Sequence, residues 1–128
     1  MREVLFLALA GALGTLSRYG LSGLAQRITG GEFPFGTLVV NIAGSVVIGF
    51  VMQVGLNTDI IPRSLRVIMT VGFLGAFTTF STFAYESTRL LQDGAWLSAL
   101  ANISLNLILG IFAILTGMLL GRLTYGGV

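Results

Sequence analysis

The chain has 128 residues, of which 55% are hydrophobic and only 9% are charged. A soluble domain usually carries about 25% charged residues, so this chain has too few polar side chains to cover a water-facing surface. The formal net charge is +2, and the basic residues are all Arg, scattered along the chain. Nucleic-acid binding is not expected, because it requires basic residues clustered on one face.

The residue types also limit the chemistry. The chain contains no Cys and no His, which excludes disulfides, zinc sites of the usual kind and catalysis by Cys or His. No pair of carboxylates falls in the middle of an apolar stretch. We therefore do not expect an enzyme.

Four long apolar stretches follow one another along the chain. Since a helix needs about 20 apolar residues to cross a bilayer, the sequence predicts transmembrane helices at about residues 4–25, 35–56, 65–91 and 95–123. The connections between them are short and polar. The prediction is an all-α membrane protein with a single transmembrane domain over residues 1–128.

The arginines are divided almost evenly between the two sides of the membrane. With four crossings, one side carries Arg2, Arg63, Arg66 and Arg122, and the other carries Arg27 and Arg89, plus Arg18 if it reaches the surface. An excess of Arg or Lys on one side sets the orientation of a membrane protein, and here the excess is weak. The sequence therefore predicts insertion in both orientations. An antiparallel homodimer follows naturally, with its twofold axis in the membrane plane.

Small residues recur inside the predicted helices, where they allow helices to approach closely. They include Gly11, Gly14, Gly44, Gly49, Gly117 and Gly121. Close packing within one subunit and packing between subunits both remain open.

Two polar stripes run along predicted helices. Helix two carries Thr37, Asn41 and Ser45, and helix four carries Ser98, Asn102, Asn106 and Gly110. Because residues four apart lie on one face of a helix, each stripe forms a polar face. Polar residues inside a membrane are costly, so these stripes indicate either hydrogen bonds between helices or a water-filled pathway.

The third helix contains an unusual run, GFLGAFTTFSTF, from Gly72 to Phe83. Glycines weaken a helix, and Thr and Ser hydroxyls compete for backbone hydrogen bonds. The run predicts a break near Thr78, close to the middle of the membrane. Broken helices expose carbonyl oxygens that can hold a cation, and in an antiparallel dimer two breaks would face each other around an ion such as Na⁺.

Phe80 and Phe83 are three residues apart and share a helical face. Contact with lipid or with the protein core is the usual role of such a pair. Aromatic rings also have a positive edge, which can attract a small anion. Neutral donors would hold an anion less tightly than Arg or Lys and so would permit rapid passage.

Three charged residues lie near the helix ends. Arg18 can extend to the membrane surface or pair with another group. Glu86 and Arg89 are three residues apart, so a simple surface ion pair is the favoured interpretation, and the mouth of a pathway is the alternative.

Two motifs together resemble the Fluc-type fluoride channel family: GTLVVN from Gly36 to Asn41, followed by Gly44, and the run from Gly72 to Phe83. Members of that family are small four-helix proteins of the bacterial cytoplasmic membrane that assemble as antiparallel, dual-topology homodimers. The resemblance covers nearly the whole chain. It implies passive, highly selective export of fluoride, which protects the cell against fluoride toxicity.

The resemblance also implies roles for individual residues. Phe80 and Phe83 would line the fluoride path with their ring edges, and Asn41 would supply an amide donor. Hydroxyls that line or flank the path would come from Thr37, Ser81 and Thr82. Arg18 and Glu86 would lie at the vestibule. Carbonyls of Gly75 and Thr78 from both subunits would hold a central structural Na⁺.

Two other functions stay open on the sequence. A small antiparallel exporter of another ion or molecule would usually need a carboxylate inside the membrane for coupling, and helices one and two have none mid-helix. A membrane subunit without transport leaves the hydroxyl-rich run in helix three unexplained.

Overall fold

The computed structural model describes residues 1–126. Its helical segments are α1 (Arg2–Thr29), α2 (Phe35–Asn57), α3 (Arg63–Val67), a π-helical segment (Ile68–Leu74), α4 (Gly75–Phe77), α5 (Phe80–Gln92) and α6 (Trp96–Tyr125). Four spans are long and apolar enough to cross a membrane, and the third of them is Arg63–Gln92. The prediction of four transmembrane helices is confirmed.

Most helices extend past their apolar stretch. The predicted end of the first helix at residue 25 is four residues short, because α1 continues through polar residues to Thr29. The chain then turns at Gly30 and Gly31, which have φ angles of 66° and 76°. These positive φ angles favour glycine, which has no Cβ to clash with the backbone.

Close packing of α2 against α6 requires glycines from both helices. A Cβ on Gly117 would overlap the backbone of Val46 and Phe50, and a Cβ on Gly49 would overlap the backbone of Ile114. Gly14 on α1 lies equally close to the backbone of Phe73 in the third span. At these positions the glycines serve packing within one subunit.

The two halves of the third span have different neighbours. The π-helical segment packs against α1, whereas α5 packs against α6. A small core joins the first half to α2, and it contains Val40, Leu74 and Phe77. The third span therefore contacts α1 before the break and α6 after it.

The break lies at Thr78 and Thr79, where the sequence predicts it. Thr78 has φ −83° and ψ 159°, and Thr79 has φ −149° and ψ 115°, so both residues are extended. Helix resumes at Phe80. The run of glycines and hydroxyls has the expected effect on the backbone.

Candidate functional site

Asn41 on α2 holds the extended residue Thr79 through both of its backbone groups. The Thr79 N–H donates to Asn41 Oδ1 at 2.8 Å, and Asn41 Nδ2 donates to the Thr79 carbonyl at 3.0 Å. Each backbone group without a hydrogen-bond partner costs roughly several kcal/mol in a membrane. A broken helix therefore needs side chains that bond its freed N–H and carbonyl groups. The amide of Asn41 therefore stabilises the interruption of the helix.

The break removes the usual helical donors from two carbonyls. The amide of Thr79 would reach the Gly75 carbonyl in a continuous helix, but it donates to Asn41 instead. The amide of Thr82 would reach the Thr78 carbonyl, but it donates to Thr79 Oγ1 at 3.3 Å. Gly75 and Thr78 are the two residues whose carbonyls the sequence resemblance assigns to Na⁺.

These carbonyls have the chemistry that a small hard cation requires. Gly75 is exposed on the surface of the single chain, so its backbone is open to a ligand. Among residues 1–126 no group of three or more His, Cys, Asp or Glu side chains could hold a metal ion. A cation at this position would depend on backbone oxygens, which are suitable ligands for Na⁺.

The rings of Phe80 and Phe83 lie side by side directly after the break. Their centroids are 5.6 Å apart and their planes are inclined at 58°. Phe80 is 76% exposed, whereas Phe83 is 8% exposed. The predicted shared face is confirmed, with one ring at the surface of the chain and the other buried.

Both rings line a cavity of about 340 Å³, which we call the break cavity. Its other lining residues include Asn41, Gly44, Ser45, Gly75, Thr78 and Asn106. Gly44 makes room at its wall, because a Cβ there would overlap the methyl group of Thr78. The cavity thus combines aromatic rings with neutral amide and hydroxyl groups.

The two predicted polar stripes meet in one hydrogen-bonded chain. Asn41 Nδ2 donates to Asn106 Oδ1 at 3.1 Å, and Asn106 Nδ2 donates to Asn102 Oδ1 at 3.0 Å. Asn102 Nδ2 donates to Ser87 Oγ at 3.0 Å, and that hydroxyl donates to the Phe83 carbonyl at 2.8 Å. The polar stripes were expected either to bond helices together or to line a water-filled pathway. Asn102 is completely buried and bonds one helix to another, so the first interpretation applies to it.

A second cavity, of about 660 Å³, lies beside the later part of α5, and we call it the end cavity. Thr37, Thr82 and Glu86 line it, together with residues from α1 and the loops. Thr37 Oγ1 donates to Glu86 Oε1 at 2.8 Å. Glu86 Oε2 is buried and has no hydrogen-bond partner among residues 1–126.

Two threonine hydroxyls, one from each cavity lining, are hydrogen-bonded to each other. Thr79 lines the break cavity and Thr82 lines the end cavity. Thr79 Oγ1 donates to Thr82 Oγ1 at 2.9 Å. Most of the predicted site residues therefore line one of the two cavities, and the phenylalanine pair lies beside the hydroxyls of Thr79 and Thr82.

The predicted pair of Glu86 and Arg89 is wrong. Glu86 bonds to Thr37, and Arg89 lies 3.8 Å from Asp93, one helical turn further along. Two carboxylates were within reach of Arg89 on the helical surface, and the sequence alone does not say which one it would face.

Two predicted site residues lie outside both cavities. Arg18 is half-buried on α1, and Ser81 is exposed on α5. Neither lines the break cavity or the end cavity of the single chain. Their assignment to the vestibule and to the path stays a prediction.

Sequence reasoning missed the link from Asn102 through Ser87 to Phe83. The available signal was spacing, since Ser87 follows Phe83 by one helical turn and can bond its carbonyl. Ser87 is buried, which its small polar side chain does not indicate.

Four membrane-spanning helices, with the third span broken at Thr78 and Thr79 beside a cavity lined by neutral side chains, define a small multi-pass membrane protein. Comparison with known proteins specifies the family. The family model described as CrcB-like protein, Camphor Resistance (CrcB), matches residues 5–118, and the chain belongs to this family.

Several relatives share one name. A protein of Dehalococcoides mccartyi named fluoride-specific ion channel FluC is 46% identical over 123 residues, which cover 96% of this chain and 95% of the relative. A protein of the same name from Solidesulfovibrio magneticus is 49% identical over 118 residues, covering 92% and 94%. Another, from Nitratidesulfovibrio vulgaris, is 46% identical over 123 residues, covering 96% and 99%.

Proposed function

We propose that this chain forms a passive, highly selective fluoride channel of the bacterial cytoplasmic membrane. Such a channel exports fluoride, protects the cell against its toxicity and catalyses no reaction. The structural observation that supports this most is the hydrogen bond between the hydroxyls of Thr79 and Thr82, which line the break cavity and the end cavity beside the rings of Phe80 and Phe83. Relatives over nearly the whole chain are named fluoride-specific ion channels.

Neutral donors suit rapid and selective passage of a small anion. Within residues 1–126 the side chains that line the break cavity carry no formal charge. Fluoride must lose part of its hydration shell there, and ring edges with hydroxyl donors replace some of the lost water. A charged Arg or Lys would hold the ion more strongly and slow its release.

The working unit that we propose is an antiparallel homodimer. In a single chain the break cavity opens at the outer surface, where Gly75 and the ring of Phe80 are exposed. Polar groups and irregular backbone are not tolerated against lipid. A second copy in the opposite orientation would cover this surface with the same residues.

Na⁺ at the centre of this dimer would be held by the carbonyls of Gly75 and Thr78. Support comes from the diversion of both helical donors, the amides of Thr79 and Thr82, to side-chain oxygens. When bound, the ion supplies positive charge that offsets opposed carbonyl dipoles from two chains.

Efflux from liposomes tests the proposal directly. Purified protein should release fluoride from loaded vesicles and retain chloride, without a proton gradient. Equal release of both anions would contradict the selectivity. Release of fluoride only when a proton or Na⁺ gradient is imposed would support the coupled exporter instead.

A further inference from the structure

Asn41 has no free donor left for an anion in this structure. Its Nδ2 carries two hydrogens, and one is donated to the Thr79 carbonyl while the other is donated to Asn106 Oδ1 at 3.1 Å. Its Oδ1 accepts the Thr79 N–H. An anion in the break cavity can bond this amide only by replacing one of these partners.

The orientation of both amides is fixed by backbone groups. An N–H can only donate, so the Asn41 atom facing the Thr79 amide must be its oxygen. A carbonyl can only accept, so the Asn106 atom at 2.9 Å from the Asn102 carbonyl must be its nitrogen. The oxygen of Asn106 therefore faces Asn41.

Asn106 is the partner that an anion would replace. Thr79 is attached to Asn41 through two hydrogen bonds, whereas Asn106 is attached through one. Asn41 and Asn106 both line the break cavity. Asn106 is itself kept in place by Asn102, to which it donates at 2.9 Å and 3.0 Å.

We propose that the side-chain oxygen of Asn106 competes with the transported anion for one N–H of Asn41 and thereby shortens the time that the anion stays bound. This inference rests on the proposed channel function. A competing acceptor scales the apparent affinity by the fraction of time that the donor is free. Because every anion that uses this N–H meets the same competitor, the competition changes affinity and release but not the preference among anions.

The test is the fluoride dependence of efflux from proteoliposomes that contain Asn106→Leu or Asn106→Ser. Leucine has the same branching and number of side-chain heavy atoms as asparagine but no acceptor, and serine is too short to reach Asn41. Each variant should lower the half-saturating fluoride concentration about five-fold, the contribution of one typical hydrogen bond, and lower the maximal rate as well. The ratio of fluoride to chloride flux should not change.

Thr116→Ala on the same helix is the matched control. Its hydroxyl bonds only the Phe112 carbonyl of α6 and is exposed, so the half-saturating concentration should stay at the wild-type value. If the leucine variant does not assemble, the serine variant decides.

Other outcomes would overturn the inference. An unchanged or raised half-saturating concentration in both variants would show that Asn106 does not compete with the anion. Loss of all flux from variants of normal size-exclusion profile would show that its oxygen is required rather than competing. A wild-type protein that passes no fluoride would reject the channel proposal itself, which is a distinguishable result.

Discussion

The amide of Asn41 forms both hydrogen bonds that a neighbouring strand would give to Thr79. One joins the Thr79 N–H to Asn41 Oδ1 at 2.8 Å, and the other joins Asn41 Nδ2 to the Thr79 carbonyl at 3.0 Å. A single side chain on α2 thus satisfies an extended residue in the third span. Both backbone groups of Thr79 are bonded by one side chain, which makes the role of that side chain open to direct testing.

Replacing Asn41 by Leu should destabilise the protein and stop transport. The change removes both partners of the Thr79 backbone, and each unsatisfied group costs about 1–3 kcal/mol. We expect a lower melting temperature in detergent and a fluoride flux reduced at least about ten-fold. Asn57→Ala is the control, because that amide is exposed on the same helix and bonds only the Gln53 carbonyl. Equal losses in both variants would contradict a specific role for Asn41.

Phe80→Ile and Phe83→Ile should each reduce fluoride flux strongly while the protein still assembles. Isoleucine keeps apolar bulk but lacks the positive ring edge. Phe112 on α6 is 61% exposed and lines neither cavity, so Phe112→Ile removes a ring outside the site and should leave flux unchanged. Proteoliposome efflux and size-exclusion chromatography are the measurements. Wild-type flux in both ring variants would remove the rings from the mechanism.

Gly117→Ala should destabilise the bundle. The new Cβ would overlap the backbone of Val46 and Phe50, and overpacking of a closed interface costs about 1–3 kcal/mol. Gly20→Ala on α1 is the matched change, since nothing lies within 4 Å of a Cβ there. In a helix that substitution should be neutral or stabilise by up to about 1 kcal/mol. Thermal unfolding in detergent compares the two, and equal melting temperatures would contradict the packing argument.

Thr79→Val should weaken the binding of Na⁺ at the carbonyl site. The hydroxyl of Thr79 holds the Thr82 amide, and its removal frees that amide for the Thr78 carbonyl. A carbonyl already bonded is a poorer ligand, so the half-effective Na⁺ concentration for flux should rise about five-fold. Thr88→Ala, whose hydroxyl is exposed and bonds the Ala84 carbonyl of its own helix, should respond to Na⁺ like the wild type. No Na⁺ dependence in the wild type would count against the carbonyl site.

Single cysteines test the orientation of the chain, which has none of its own. Asn57 and Gln92 are exposed and lie at opposite ends of the spans. With both orientations present, Asn57→Cys and Gln92→Cys should each react with a membrane-impermeant thiol reagent from either side of the membrane. Labelling of each site from one side only would refute dual insertion.

Features that depend on one segment were predictable from the sequence. The four spans follow from the length of the apolar stretches, and the break at Thr78 follows from the poor helical character of its neighbours. The shared face of Phe80 and Phe83 follows from their spacing. In each case the cause lies within a few residues of the effect.

Contacts between spans were not predictable in the same way. Glu86 on α5 meets Thr37 on α2 because of how the two helices are rotated and set against one another. Periodicity identifies a polar face but does not say which face it meets. The bond from Asn41 to Asn106 joins α2 to α6 and depends on that same rotation, since both residues were visible only as members of separate stripes.

The bonds that hold the third span open lie within one chain, from Asn41 to the backbone of Thr79. A partner copy is not needed to shape the break. If the gene were duplicated, each product could fix one membrane orientation through its own arginines and diverge on its outer surface. Each of the two subunits would keep the break in its third span as long as it retained its own Asn41 and Thr79.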